Sequence, residues 1–170
     1  AIALEYLDIQ GMSKITSLDL TSHAYIKTVK AFGSGIDSVT FAKGSPVEVV
    51  ELPSAVRVLQ FEQLPYLTSE NLKLEDNSVI VNISIKSCPK ISNDFSFVYD
   101  WYTNKVAADA NCSLVMDNVA WENVDNDEFL AFLGLKTNGG VLSLKGKVSL
   151  PSASMDTITV IREIFGDTVF

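Results

Sequence analysis

The sequence has little of what usually carries chemistry. One histidine, His23, and two cysteines, Cys88 and Cys112, stand in 170 residues. The two thiols lack metal-ligand spacing and are too few for a disulfide framework, so neither a zinc site nor a disulfide scaffold organises the chain. Positive charge is scarce too: 13 Lys and Arg face 21 Asp and Glu, a net charge of −8. That balance argues against the clustered basic surface a nucleic-acid partner requires. No apolar run approaches the ~20 residues of a spanning helix, so no membrane insertion is expected. Gly139-Gly140 leads into a strand pattern and not a helix N-terminus, so it forms no phosphate loop. No nucleophile–base pair and no cofactor motif is visible, and the expectation is a domain with no enzymatic activity, cofactor or metal.

What the chain does have is repetition. Val56-x-x-Leu59-x-Phe61-x-x-Leu64-Pro65-x-Leu67 and Ile80-x-x-Ile83-x-Ile85-x-x-Cys88-Pro89-x-Ile91 are one pattern written twice, the signature of a leucine-rich repeat. Apolar residues at i and i+2 place two side chains on one face of a short strand. The apolar residue three positions earlier covers one turn, and the residue three positions later plugs the next. Such a unit cannot bury its own face and must stack on copies of itself.

The pattern tiles the first half of the chain. Units begin at Leu4, Ile15, Ile26, Ile36, Val47, Val56, Ser69 and Ile80, about eleven residues apart, so two units make a coil of about 22 residues. Alternate units form two sets. Starts at 4, 26, 47 and 69 predict a parallel sheet, and those at 15, 36, 56 and 80 predict the opposite wall, as short strands or extended turns. Gly11, Gly33, Gly35, Gly44, Pro46, Pro53, Pro65 and Pro89 fall between the strand positions, as turn residues should.

After Ile91 the pattern lengthens. Helices are predicted from Phe95 to Ala108, from about Asp125 through Leu133, and from Ser152 or Ser154 through Phe165. Strands are predicted at Ser113–Asp117, Val141–Leu150 and Thr168–Phe170. The expected fold class is thus an α/β solenoid of leucine-rich-repeat type. Residues 1–91 form β/turn coils, and 92–170 form strand–helix repeats that close the same single domain. Ala1-Ile2-Ala3-Leu4 enters the pattern without a polar capping segment. The expectation is therefore a fragment of a longer polypeptide, whose first coil frays or self-associates when left uncovered.

His23 falls at a turn-plug position and has no partner for catalysis or metal binding. Cys88 sits at the corresponding plug position, where a small buried thiol packs. Asp125, Asp127 and Glu128, with Asp117 nearby, lack the glycine and spaced ligands of a calcium loop; negative charge at a helix N-terminus accounts for them. The sequons at Asn82 and Asn111 lie in predicted strands. Tyr99, Trp101, Tyr102 and Trp121 read as packing before they read as a binding patch. The candidate interaction surface consists of wall positions predicted to face outward, together with one tryptophan: Tyr6, Asp8, Lys30, Glu51, Gln60, Lys73, Asn82 and Trp121.

The run from Ile26 to Pro53 reads Ile36-x-x-Val39-x-Phe41-Ala42-x-Gly44-x-Pro46-Val47-x-x-Val50-x-Leu52-Pro53 in its second part. It continues into Val58-Leu59-Gln60-Phe61-Glu62-Gln63-Leu64-Pro65-Tyr66-Leu67. This run resembles the leucine-rich-repeat segments of large tail and fibre proteins of tailed bacteriophages, and of prophages, from gut bacteria. The segment from Leu114 to Trp121, Lys145-Gly146-Lys147-Val148 and the closing Gly166-Asp167-Thr168-Val169-Phe170 are similar as well. The resemblance implies a non-enzymatic virion structural domain. It would serve protein–protein interaction or host attachment, its partners being other virion subunits, upstream repeats, or a host-surface glycan or protein. Bacterial surface adhesins share the repeat style, as do recognition domains joined to an enzyme, and these are the alternatives.

Overall fold

The two interleaved sets of units fold as two walls. The computed structural model describes residues 3–91, 113–122 and 141–149, with Met155, Asp156, Thr159, Arg162 and Glu163. In chain order the strands are β1 (Tyr6–Asp8), β2 (Leu18–Leu20), β3 (Thr28–Lys30), β4 (Ser38–Phe41) and β5 (Val49–Leu52). Then come β6 (Val58–Glu62), β7 (Leu72–Leu74), β8 (Asn82–Lys86), β9 (Ser113–Glu122) and β10 (Val141–Ser149). The first wall is a four-stranded sheet ordered β1-β3-β5-β7, and the second a six-stranded sheet ordered β10-β9-β8-β6-β4-β2. Every pairing is parallel. The chain is a parallel β-solenoid whose first eight strands make four coils. Parallel neighbours require a long crossover, and here each crossover is half a coil carrying a strand of the other wall.

The first wall is a parallel sheet, as the starts at 4, 26, 47 and 69 predict, and the second is more regular than expected. The second is a continuous sheet and not a row of extended turns. Its strand β9 runs ten residues, Ser113–Glu122, well past the predicted Asp117. Beside it, β10 matches the predicted strand and carries a bulge between Leu144 and Gly146. Described helix is confined to a 3₁₀ turn at Ser69–Asn71 and to the five residues from Met155 to Glu163. There the Thr159 hydroxyl donates to the Met155 carbonyl at 2.9 Å, one helical turn back. The predicted helices near 95–108 and 125–133, the Gly139-Gly140 turn and the strand at 168–170 lie outside the described residues.

The core is the space between the walls. Val29, Val50, Leu59 and Ile85 are fully buried, as are the corner residues Ile26, Val47, Leu67 and Ile91. Phe41 and Phe61 stack on neighbouring coils with ring centroids 6.0 Å apart. The first coil is different. Leu4, Leu7, Ile15 and Leu18 are only half-buried, because no described strand lies beyond β1 and β2.

The corners continue the ladder. At the exits of β4, β6 and β8, Gly44, Gln63 and Ser87 adopt φ of 76°, 55° and 54°. Their N–H groups donate to the carbonyls of Gln63, Lys86 and Asp117, at 2.8, 2.9 and 2.9 Å. At the opposite corner Pro53 has no N–H to give, and a side chain fills in. One oxygen of Glu75, Oε2, accepts from the N–H of Gly33 at 3.1 Å and that of Ser54 at 3.0 Å, tying three coils together. Charge-assisted bonds of this kind exceed neutral ones, though solvent exposure moderates them. Glu75→Ala is expected to lower stability by about 1 kcal/mol, and Glu75→Gln, which keeps an acceptor oxygen, by less. Urea midpoints of the three proteins check this; equal midpoints for wild type and Glu75→Ala would show that the bridge contributes nothing.

Candidate functional site

Five of the eight predicted surface residues come together. Tyr6, Asp8, Lys30, Glu51 and Lys73 all lie on the outer face of the first wall. Strand register sets Tyr6 beside Thr28 and Thr28 beside Val49, and Asp8 beside Lys30, Lys30 beside Glu51 and Glu51 beside Lys73. The last four therefore form one column across four coils, with signs −, +, −, +. Asp8 and Lys73 are exposed, while Lys30 and Glu51 are half-buried along their stems. Gln10 donates its backbone N–H and its side-chain amide to Asp8, and with Lys30 nearby these hold the Asp8 carboxyl below its ordinary range. At the adjoining corner Lys27 pairs with Glu5 at 2.9 Å, a hydrogen bond that raises the lysine's pKa.

The other three are elsewhere. Gln60 and Asn82 face outward from the second wall, on β6 and β8. Asn82 accepts a hydrogen bond from the Ser113 hydroxyl at 2.6 Å through Oδ1. Beside Gln60 lies an open, shallow depression of about 520 Å³ lined by Thr21, Thr40, Phe41, Ala42, Lys43, Gln60 and Glu62. Lys43 and Glu62 close an ion pair across it at 2.8 Å. Trp121 belongs to β9, and its side chain lies outside the described residues. So do Tyr99, Trp101, Tyr102, Cys112, the Asn111 sequon and the acidic group at 125–128.

His23 requires a correction. It does not plug a turn but is exposed. The plug position works where the residue before it is left-handed, as Gln63 is before buried Leu64 and Ser87 before buried Cys88. The residue before His23, Ser22, is not left-handed, so the side chain points outward. In the next coil Gly44 stands at the motif position of His23 and is itself left-handed, and Ser45 after it turns inward. Cys88 packs as expected, and burial pushes its thiol up to about 11, away from nucleophilic use.

Sequence reasoning passed over one exposed feature. Tyr25 and Tyr66, 64% and 51% exposed, each precede the buried residue that closes a corner, Ile26 and Leu67. Lys90 precedes Ile91 in the same way, and its Nζ lies 5.5 Å from the Tyr66 ring centroid. Large residues one position ahead of each closing apolar residue were the available signal. Among the described residues no three His, Cys, Asp or Glu gather as a metal site, and no helix is long and apolar enough to cross a membrane. Comparison of the chain with protein families, curated proteins and solved structures finds no match.

Proposed function

We propose that this chain is a non-catalytic, leucine-rich-repeat docking or spacing domain of a large tail or fibre protein in a tailed-phage virion. The assignment to a virion draws on the repeat style of residues 26–67. The docking role draws on one structural observation: two polar outer walls present broad columns of side chains in fixed register. Such walls suit contact with another protein surface better than enclosure of a small molecule. Neighbouring virion chains, further coils of the same polypeptide, or a host-surface glycan or protein are the partners this reading entails.

Immunogold electron microscopy with antibodies raised against residues 1–91 tests the location. The expected result is gold on the tails or fibres of purified particles. Bare particles with gold confined to the bacterial envelope would replace the virion reading with that of a surface adhesin.

A further inference from the structure

We infer that the outer face of the first wall pairs with the same face of a second copy of this chain. The order of charge in the column Asp8–Lys30–Glu51–Lys73 carries this pairing. A −, +, −, + series reverses into its own complement. Rotate a second copy by half a turn about an axis lying between the two faces, parallel to the strands and between the coils of Lys30 and Glu51. Strand direction is kept and coil order is reversed. Asp8 then faces the second copy's Lys73, Lys30 faces its Glu51, and the reciprocal pairs follow by symmetry. All four contacts join opposite charges.

Three further observations favour a second copy as the occupant. No contact ion pair joins Lys30, Glu51 or Lys73 to another described residue, so, although Lys30 acts at a distance on Asp8, none of the three is locked to a partner within the chain. The column sums to zero on a chain of net charge −8, so this strip is spared the self-repulsion expected of the surface at large. The neighbouring outward column, Tyr6–Thr28–Val49, carries no charge, and reversal sets Thr28 against Val49. At the corner, Lys27 meets Glu48 and Glu5 meets Glu70, which with their symmetry mates makes two attractive and two repulsive contacts. Packed sheets stand about 10 Å apart, a gap that long Lys and Glu side chains can bridge. Four short strands bury a small area, so the association belongs to the weak, transient class below about 1,200 Å². It is sensitive to salt for the same reason. The inference stands independently of the virion reading.

Zero-length carbodiimide cross-linking of the wild-type chain provides the first test. Within one chain Asp8 and Lys73 are three coil steps apart, about 14 Å at the strand spacing of a sheet, too far for an amide bond. The expected product is a dimer band containing an Asp8–Lys73 cross-linked peptide at about 0.1 M salt, reduced at least tenfold at about 1 M. A dimer band without that peptide, or no dimer band at all, overturns the inference.

Charge exchange provides the second. Lys30→Glu and Glu51→Lys are each expected to abolish self-association in sedimentation velocity, while an equimolar mixture of the two restores it, because each then supplies what the other lacks. Circular dichroism verifies that both variants are folded. The double variant K30E/E51K distinguishes pairing between chains from stabilisation within one. Its column reads −, −, +, +, which places like charges on adjacent coils yet remains complementary on reversal. It is expected to self-associate as wild type does. A mixture no more associated than its components, or a double variant that stays monomeric, overturns the pairing.

Discussion

Leu59→Ala is expected to destabilise the solenoid by about 2–5 kcal/mol, and Ile83→Ala by a similar amount. Leu59 is fully buried and Ile83 is 1% exposed, and the two are direct neighbours on β6 and β8. Coils stack on both sides of each, which leaves no free surface to collapse into the space a truncation opens. Leu18→Ala is the internal control. Its side chain is half-buried at the open face of the first coil, so the loss should be well under that of Leu59→Ala. Chemical denaturation checks the order. Equal losses at Leu18 and Leu59 would mean that the core is not centred between the walls. Because Leu59 and Ile83 touch, the double variant should depart from the sum of the singles.

Gly35→Ala is the second large effect, and its cause is steric rather than apolar. A Cβ on Gly35 would lie 2.3 Å from the carbonyl oxygen of Ser13 and 3.1 Å from that of Ile15. Both atoms are backbone and cannot rotate away. The first coil must therefore separate from the second at this corner, at a cost of about 3 kcal/mol, the upper end for overpacked sites. Hydrogen exchange locates the damage. Amides that hold the first coil to the second, such as Ile9 N–H on the Lys30 carbonyl at 2.9 Å, should lose protection while those of β6 and β8 keep theirs. Unchanged protection at Ile9 would show that the corner can yield without parting the coils.

Much of this architecture was legible in the residues. A side-chain pair at i and i+2 that resets about every eleven residues allows one inward face per half-coil. The two interleaved sets, starting from Leu4 and Ile15, became the two walls strand for strand. The plug at His23 was misread because the motif records residue type and spacing, whereas plugging depends on a left-handed residue just before it. Glu75 drew no notice because its two donors, on Gly33 and Ser54, lie 42 and 21 residues away.

Periodicity by itself thus determined which strand side chains point into the core and which point out, since burying an apolar pair in every half-coil permits no other arrangement there. It also set the lateral order, because residues at equal offsets from the unit starts become neighbours on adjoining coils. On the first wall the step from coil to coil is 22, 21 and 22 residues, from Asp8 to Lys30, Glu51 and Lys73. On the second it is 21, 20 and 24, from Leu18 to Val39, Leu59 and Ile83. The corners absorb the difference, and hydrogen bonding between stacked coils fixes the register that remains. Only the folded structure decided that the second wall closes into a continuous sheet, that Gln63 and Ser87 turn their corners left-handed and that Glu75 bridges Gly33 and Ser54, because backbone dihedrals and contacts between coils are not written in residue spacing.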